Sequence, residues 1–96
     1  MAIREQLIEY RDGDTLLEGL FCHDESRTAP LPAVVISHAA CGRDDFVERK
    51  ARRLARHGFA TFALDMYGKG KRGHSTEESR ELMGPFMHDR ALLFRF

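Results

Sequence analysis

The sequence has no excess of charge of either sign, because its 96 residues carry 15 basic and 15 acidic side chains. Proteins that bind nucleic acid normally concentrate positive charge on one face. A local basic run does occur, but its spacing fits the solvated side of an amphipathic helix. The run consists of Arg49, Lys50, Arg52, Arg53 and Arg56. We therefore predict no nucleic-acid partner.

Long apolar runs are also missing, and cysteine is scarce. The longest uninterrupted apolar stretch falls far short of the roughly 18 residues that a membrane helix needs, and a charge already stands at Arg4. The two cysteines, Cys22 and Cys41, lie in unrelated contexts, and neither they nor the histidines show metal-ligand spacing. The sequence therefore predicts a cytoplasmic, reduced protein with no signal peptide, no membrane partner, and no metal or other cofactor.

Two stretches near the start alternate apolar and polar residues, and they predict a hairpin. They cover residues 3–10 and 15–23, with Asp12 and Gly13 between them. An Asp-Gly pair between two such runs is a strong hairpin signal, because glycine accepts a positive φ. The second run has apolar residues in both of its alternating series, which predicts a strand that is covered in part on each face.

A strand–helix–strand unit is predicted next. Residues 33–38 form a short, continuously apolar and β-branched run, which is typical of a parallel strand covered on both faces. A helix is predicted over residues 45–57, where Asp45 and Glu48 suggest a capping box and Gly58 suggests a left-handed C-terminal cap. A second apolar run, residues 59–65, completes the unit. The predicted apolar stripe of the helix consists of Phe46, Val47, Ala51, Leu54 and Ala55.

The last part of the sequence predicts two short helices. Ser75 and Glu78 are expected to cap the first, which runs to residue 83, and Gly84-Pro85 is expected to interrupt it. The second starts at residue 86, with Phe86, Leu92, Leu93 and Phe96 as its inward positions. Residues 1–96 as a whole predict one partial α/β domain with four strands, in which strand 33–38 is too apolar to be an edge.

Several segments resemble the dienelactone hydrolase family. They are YRDGDTLLEG at residues 10–19, PAVVISH at 32–38, GRD at 42–44, RLARHGF at 53–59 and, most sharply, ALDMYGKG at 63–70. These motifs stand in the family's order and cover nearly the whole chain. The resemblance implies the N-terminal part of an α/β-hydrolase fold, an antiparallel hairpin plus a βαβ unit in an incomplete sheet. It also implies that strand 59–65 lies between the hairpin and strand 33–38.

The same resemblance implies cleavage of small-molecule carboxylic esters or lactones by a Cys-His-Asp or Ser-His-Asp set. The family's nucleophile stands in a Gly-x-Cys/Ser-x-Gly elbow, a strained turn between a strand and a helix. Neither form of that elbow occurs in the 96 residues. By family position the elbow, the acid and the base all lie downstream, so we expect a catalytically incomplete N-terminal fragment that stops before the nucleophile.

Three positions correspond by this resemblance to parts of the family's site. The backbone N–H of Ala40 corresponds to one of the two oxyanion-hole donors. Lys69 falls where the dienelactone-cleaving members have an arginine for the substrate carboxylate, and lysine lacks its planar fork. Ala39 stands where those members have a glutamate that helps control the thiol. Because alanine replaces that glutamate, we expect a broader ester or lactone hydrolase. The predicted substrate-binding residues are Ala39, Cys41 and Lys69.

Alternative interpretations exist for three features. His38 and Cys41 could form a thiol–imidazole pair, but we favour a histidine that closes a strand and a cysteine that acts as a small apolar residue. Asp65 stands at the end of a strand, where sites cluster, and we favour a loop-capping role over a catalytic one. The Gly68-Lys69-Gly70-Lys71 run suggests a phosphate-binding loop, but it lacks the complete motif of such a loop. We therefore do not expect nucleotide binding.

Two hypotheses about function remain open at this point. The first is the catalytically incomplete hydrolase described above. The second is a non-catalytic half-domain that pairs with itself or with another chain. A strand 33–38 without a neighbour on its far side would present a bare Val-Val-Ile edge, which favours pairing with another chain. The second hypothesis therefore predicts self-association.

Overall fold

The structure, a computed structural model, describes residues 2–88. The described part forms an α/β arrangement in which helices follow the third and fourth strands. In chain order the elements are β1 (Ile3–Asp12), β2 (Thr15–Asp24), β3 (Ala33–Ile36), α1 (Asp45–Arg56), β4 (Ala60–Ala63) and α2 (Thr76–His88).

The four described strands form one mixed sheet in the order β1-β2-β4-β3. β1 and β2 are antiparallel neighbours along their whole length, with Ile3 opposite Asp24 and Asp12 opposite Thr15. β4 runs antiparallel to β2 and parallel to β3. The predicted order, with the later strand between the hairpin and the earlier one, is confirmed.

The core lies between α1 and the middle of the sheet. Helix residues Val47, Ala51 and Ala55 are buried against β2 and β4, and two alanines allow the helix axis to approach the sheet closely. Thr61 supplies a polar link, because its hydroxyl oxygen lies 2.9 Å from the Ala51 carbonyl oxygen. The predicted stripe is wrong at Phe46, which is 57% exposed and lies beneath the ammonium group of Lys50.

The ends of α1 differ in how well their caps were predicted. The N-cap is Asp44, one residue before the predicted Asp45, and its carboxylate accepts a hydrogen bond from the Val47 N–H at 3.2 Å. The predicted capping box fails because the Glu48 carboxylate accepts hydrogen bonds from arginines instead. Gly58 has a φ of +97°, which confirms the left-handed C-terminal position.

β3 is the edge of the described sheet, and the exposure of one of its faces corrects the prediction of a strand covered on both faces. No strand within residues 2–88 pairs with its far side, and Val35 is 66% exposed. α1 packs on β2 and β4 and leaves this outer strand partly uncovered. Its apolar sequence is therefore not matched by burial in the described part of the chain.

α2 is continuous across the position where a break was predicted. Pro85 lies inside the helix, so the expected interruption at Gly84-Pro85 is wrong. Proline removes the hydrogen bond to the Glu81 carbonyl and crowds that oxygen, but Glu81 is exposed, so water can satisfy it. The unbroken helix also brings the Phe86 ring to 5.8 Å from the Tyr67 ring.

The start of α2 agrees with its prediction, while part of its far end cannot be compared. The Glu78 N–H donates to the Ser75 hydroxyl at 3.1 Å, which confirms the cap. The predicted inward positions Leu92, Leu93 and Phe96 lie outside the described residues. No helix in residues 2–88 is long and apolar enough to cross a membrane.

Candidate functional site

A tight turn over residues 39–42 follows β3 at the carboxyl end of the parallel strand pair. The Gly42 N–H donates to the Ala39 carbonyl at 3.0 Å and closes the turn. Gly42 has a φ of +90°, and a Cβ there would lie 3.2 Å from the Lys71 carbonyl oxygen, so the turn needs glycine. No acceptor within residues 2–88 takes the Ala40 N–H. The turn therefore leaves the Ala40 N–H without an acceptor in the described residues, together with the N–H groups of Ala39 and Cys41.

The loop after β4 holds this turn in place from the other side. The Tyr67 hydroxyl donates to the Ala40 carbonyl at 2.9 Å, and the Gly73 N–H donates to the Cys41 carbonyl at 2.9 Å. A tyrosine hydroxyl is protonated at neutral pH, and burial raises the pKa of Tyr67 further, so it remains a donor. Two of the turn's carbonyls are thus fixed by a neighbouring loop.

Asp65 organises the loop that supplies Tyr67. It is 3% exposed, and its carboxylate accepts hydrogen bonds from the Tyr67 and Gly68 N–H groups at 2.9 and 3.1 Å and from the Glu18 N–H at 3.0 Å. The Tyr10 hydroxyl lies 2.8 Å from both its backbone oxygen and its backbone nitrogen. These contacts agree with the favoured loop-capping role, because three backbone N–H groups occupy the carboxylate.

An open cavity of about 340 Å³ lies between the turn and α2. Its walls are mostly apolar, and no aspartate, glutamate, lysine or arginine lines it within the described residues. Ala39 and Ala40 of the turn line it. The other lining residues are Ser37, His38, Met66, Tyr67, Met83, Phe86 and Met87. The unused Ala40 donor therefore stands at a cavity suited to an apolar group.

The sequence-predicted site residues fall into two groups. Ala39 and Ala40 both line the cavity, whereas Cys41 and Lys69 do not. Cys41 is exposed, and its sulfur lies 3.5 Å from the Ser79 hydroxyl oxygen. The Lys69 ammonium lies 2.8 Å from one carboxylate oxygen of Glu9 and 3.6 Å from one of Glu18.

The Lys69–Glu9 contact shifts the pKa values of the two groups in opposite directions. Their hydrogen bond raises the pKa of Lys69 and lowers the pKa of Glu9. These two carboxylates would therefore compete with an anionic group for the Lys69 ammonium.

A buried arginine that the sequence reasoning missed holds the turn to the sheet and to α1. Arg43 follows the turn directly and is 5% exposed. Its guanidinium donates to the Glu18 carbonyl oxygen at 2.7 Å, the Glu18 carboxylate at 2.9 Å and the Glu48 carboxylate at 2.6 Å. Arg72, from the loop after β4, reaches the same Glu48 carboxylate at 3.2 Å. The only sequence signal was the family-like GRD motif at residues 42–44.

A larger cavity, of about 480 Å³, lies on the other side of this arginine cluster. It is lined by Glu5, Gln6, Leu7, Glu18, Leu20, Arg43, Glu48, Arg52 and Arg72. Its charged groups are engaged with one another, as in the Arg52–Glu5 pair at 2.9 Å. The smaller cavity is mostly apolar and adjoins the turn after β3, so it is the better candidate site. Residues 2–88 contain no cluster of side chains suited to a metal ion.

The strand order, the βαβ unit and the donor turn after β3 define the N-terminal part of an α/β-hydrolase fold. Comparisons with known proteins give the family. The sequence pattern of the Dienelactone hydrolase family matches residues 17–94, and the chain belongs to that family.

Solved structures support this assignment. A structure named m3DLH is 34% identical and superposes with a TM-score of 0.91 over 99% of this chain. A dienelactone hydrolase-like promiscuous phosphotriesterase from metagenomic libraries is 36% identical, with a TM-score of 0.87 over 99% of this chain. A putative dienelactone hydrolase from Klebsiella pneumoniae, 18% identical with a TM-score of 0.69 over 84% of this chain and 35% of its own, shows the fold alone.

The present chain is short beside these proteins. It spans 40% of the length of m3DLH and 39% of the length of the metagenomic phosphotriesterase. The match falls on the N-terminal part of the solved structures. No curated protein matches the chain.

Proposed function

We propose that this chain forms the N-terminal part of a carboxylic ester or lactone hydrolase and supplies one of its two oxyanion-hole donors. The observation that carries the proposal is the unused N–H of Ala40, at an apolar cavity beyond the end of β3. A preorganised backbone donor of this kind needs no side chain, which fits alanine at this position.

In the proposed reaction, a thiolate or an activated hydroxyl attacks the ester carbonyl carbon, and the carbonyl oxygen becomes an oxyanion. The Ala40 N–H donates one hydrogen bond to that oxygen, and the N–H of the residue after the nucleophile donates the other. The Gly-x-Cys/Ser-x-Gly elbow does not occur in these 96 residues. We therefore assign the nucleophile, acid and base to the part of the family fold that this chain does not span.

The cavity walls support an uncharged substrate group next to the reacting carbonyl. Ala39 is a proposed substrate contact there, since it lines the cavity beside Ala40. Lys69 and Cys41 remain proposed substrate contacts, although neither lines this cavity. For an anionic substrate, Glu9 would compete for the Lys69 ammonium, which lies 2.8 Å from its carboxylate.

A chimera tests this proposal. The chain replaces the matching N-terminal 39% of the metagenomic phosphotriesterase, and hydrolysis of a p-nitrophenyl ester is measured. Ala40→Pro removes the N–H at a turn position that proline tolerates, and no internal hydrogen bond is lost. We expect kcat to fall by about 10²–10³-fold, while the control Ala40→Ser, which keeps the N–H, stays within a few-fold. A folded Ala40→Pro chimera with full kcat would contradict the assignment.

The second candidate function is a half-domain that pairs through β3, and one observation favours it. Val35 is 66% exposed on an edge strand without charge or proline, a combination that natural edges avoid. The opposite edge, β1, carries exposed Arg4, Glu5 and Glu9, which discourage pairing.

Sedimentation of the 96-residue chain tests this pairing. Self-association that Val35→Lys removes would support it, because the exposed side chain at that position reaches water. A Leu7→Lys variant on β1 serves as the matched control, because Leu7 is also an exposed apolar residue of an edge strand. A chain that stays monomeric at high concentration would contradict the pairing hypothesis.

A further inference from the structure

His38 has both ring nitrogens within hydrogen-bond distance of backbone groups. Nε2 lies 3.1 Å from the backbone nitrogen of Met66, and Nδ1 lies 2.8 Å from the carbonyl oxygen of Ala39. A backbone N–H can only donate, and a carbonyl oxygen can only accept. A neutral ring satisfies both partners in one tautomer alone, with the proton on Nδ1 and the lone pair on Nε2.

The Ala39 carbonyl that His38 contacts belongs to the peptide group whose N–H is that of Ala40. The same oxygen also accepts the Gly42 N–H at 3.0 Å. Because a trans peptide is planar and its C=O and N–H point in opposite directions, two hydrogen bonds on the oxygen fix the direction of the N–H. They also polarise the peptide group, which makes its N–H a stronger donor.

The His38 ring is itself held in place. Its centroid lies 4.7 Å from that of Tyr67, whose hydroxyl donates to the Ala40 carbonyl at 2.9 Å. With both nitrogens bound to the backbone, the ring has no nitrogen left for the Cys41 thiol. The contacts therefore disfavour the thiol–imidazole pair and connect the ends of β3 and β4 to the turn.

We propose that His38 is a positioning residue for the oxyanion hole. The Met66 N–H holds it in the Nδ1–H tautomer, and its Nδ1–H aims and polarises the peptide that presents the Ala40 N–H. The role of His38 in hydrolysis rests on the proposed function, whereas its tautomer and the geometry of the turn do not.

Nitrogen-15 NMR of the histidine-labelled chain under magic-angle spinning measures the tautomer, whether or not the chain self-associates. The His38 signals are assigned by their loss in His38→Asn. We expect a protonated Nδ1 and an unprotonated Nε2. Free histidine favours the opposite tautomer, so a protonated Nε2, or the mixture expected of an unfolded chain, would overturn the proposal.

Two substitutions separate the contributions of the two nitrogens. His38→Asn places an amide donor near the Nδ1 position, and His38→Gln places an amide oxygen near the Nε2 position. We expect His38→Gln to shift the Ala40 amide resonance and spare that of Met66, and His38→Asn to do the reverse. Equal shifts of the Ala40 resonance in both variants would indicate a general packing effect and overturn the proposal.

Activity in the chimera separates this inference from the proposed function. His38→Gln should lower kcat by less than the 10²–10³-fold that loss of a whole donor causes, with KM unchanged, because the hydrogen bond strengthens in the transition state. A protonated Nδ1 in a chimera that hydrolyses no ester would defeat the proposed function alone. A protonated Nε2 in an active chimera would defeat the His38 role alone.

Discussion

Replacing Arg43 by methionine tests whether the arginine cluster holds the turn and α1 on the sheet. The side chain is 5% exposed and donates to the carboxylates of Glu18 and Glu48 at 2.9 and 2.6 Å. Those two side chains are themselves only 14% and 13% exposed. Methionine has a similar length, so the change removes the charge and the hydrogen bonds without opening a large void.

Loss of one partner from a buried ion pair typically lowers the free energy of unfolding by about 3–5 kcal/mol, because the remaining charge stays buried. Here the remaining carboxylates keep other cations. Glu48 retains Arg72 at 3.2 Å and Arg52 at 3.5 Å, and Glu18 retains Lys69 at 3.6 Å. We therefore expect a loss near the lower limit, about 3 kcal/mol, which is a large fraction of the roughly 5–15 kcal/mol of an intact domain.

Urea unfolding followed by circular dichroism measures this loss. With a slope of about 1–3 kcal/mol per molar urea, the midpoint should fall by roughly 1–3 M. Arg52→Met is the matched control, because Arg52 also contacts Glu48 but is 33% exposed, and pairs of that kind contribute about 0–1 kcal/mol. Equal losses of unfolding free energy in the two variants would refute the view that the buried ion pairs of Arg43 stabilise the fold more than the exposed ones of Arg52.

Three further predictions concern the 96-residue chain. It should not hydrolyse activated esters above a denatured control, and turnover that disappears in Cys41→Ala would overturn this. Thr61→Val should lower the free energy of unfolding by about 1 kcal/mol, since its buried hydroxyl bonds the Ala51 carbonyl; an unchanged thermal midpoint would contradict it. Hydrogen bonds from Ser26 and the Ala2 N–H hold the pKa of Asp24 well below its ordinary value. Its stabilisation is present above the unfolded pKa of about 3.9 and is lost as pH falls further, so Asp24→Asn should flatten acid unfolding profiles, and an identical profile would count against it.

The local elements could be predicted because each depends on neighbours in sequence. Asp12-Gly13 and its flanking alternation specify the hairpin, and Gly58 specifies the end of α1. Two short apolar runs separated by an amphipathic stretch specify a βαβ unit, and the right-handed crossover restricts how it packs. The family-like motifs added the strand order, which periodicity alone does not contain.

Details that depend on competition between residues close in space but distant in sequence were predicted less well. Asp45 and Glu48 match a capping box, yet the cap is Asp44, since Glu48 is recruited by arginines from three different segments. Pro85 suggests a break, yet contact between Phe86 and Tyr67 accompanies a continuous helix. Local patterns do not reveal such choices, because the deciding partners are distant in sequence.

The fold class and the position of the turn that follows β3 could be read from the amino-acid sequence, because both depend on local patterns and family-like motifs. The contacts around that turn could not, because they form between segments distant in the chain. The Tyr67 hydroxyl bonds the Ala40 carbonyl from 27 residues away, and the Met66 N–H bonds the adjacent His38 ring from 28. Arg43 contacts Glu18 across 25 residues. The physical reason is that a hydrogen bond or an ion pair requires two groups at one point in space, and folding brings them there.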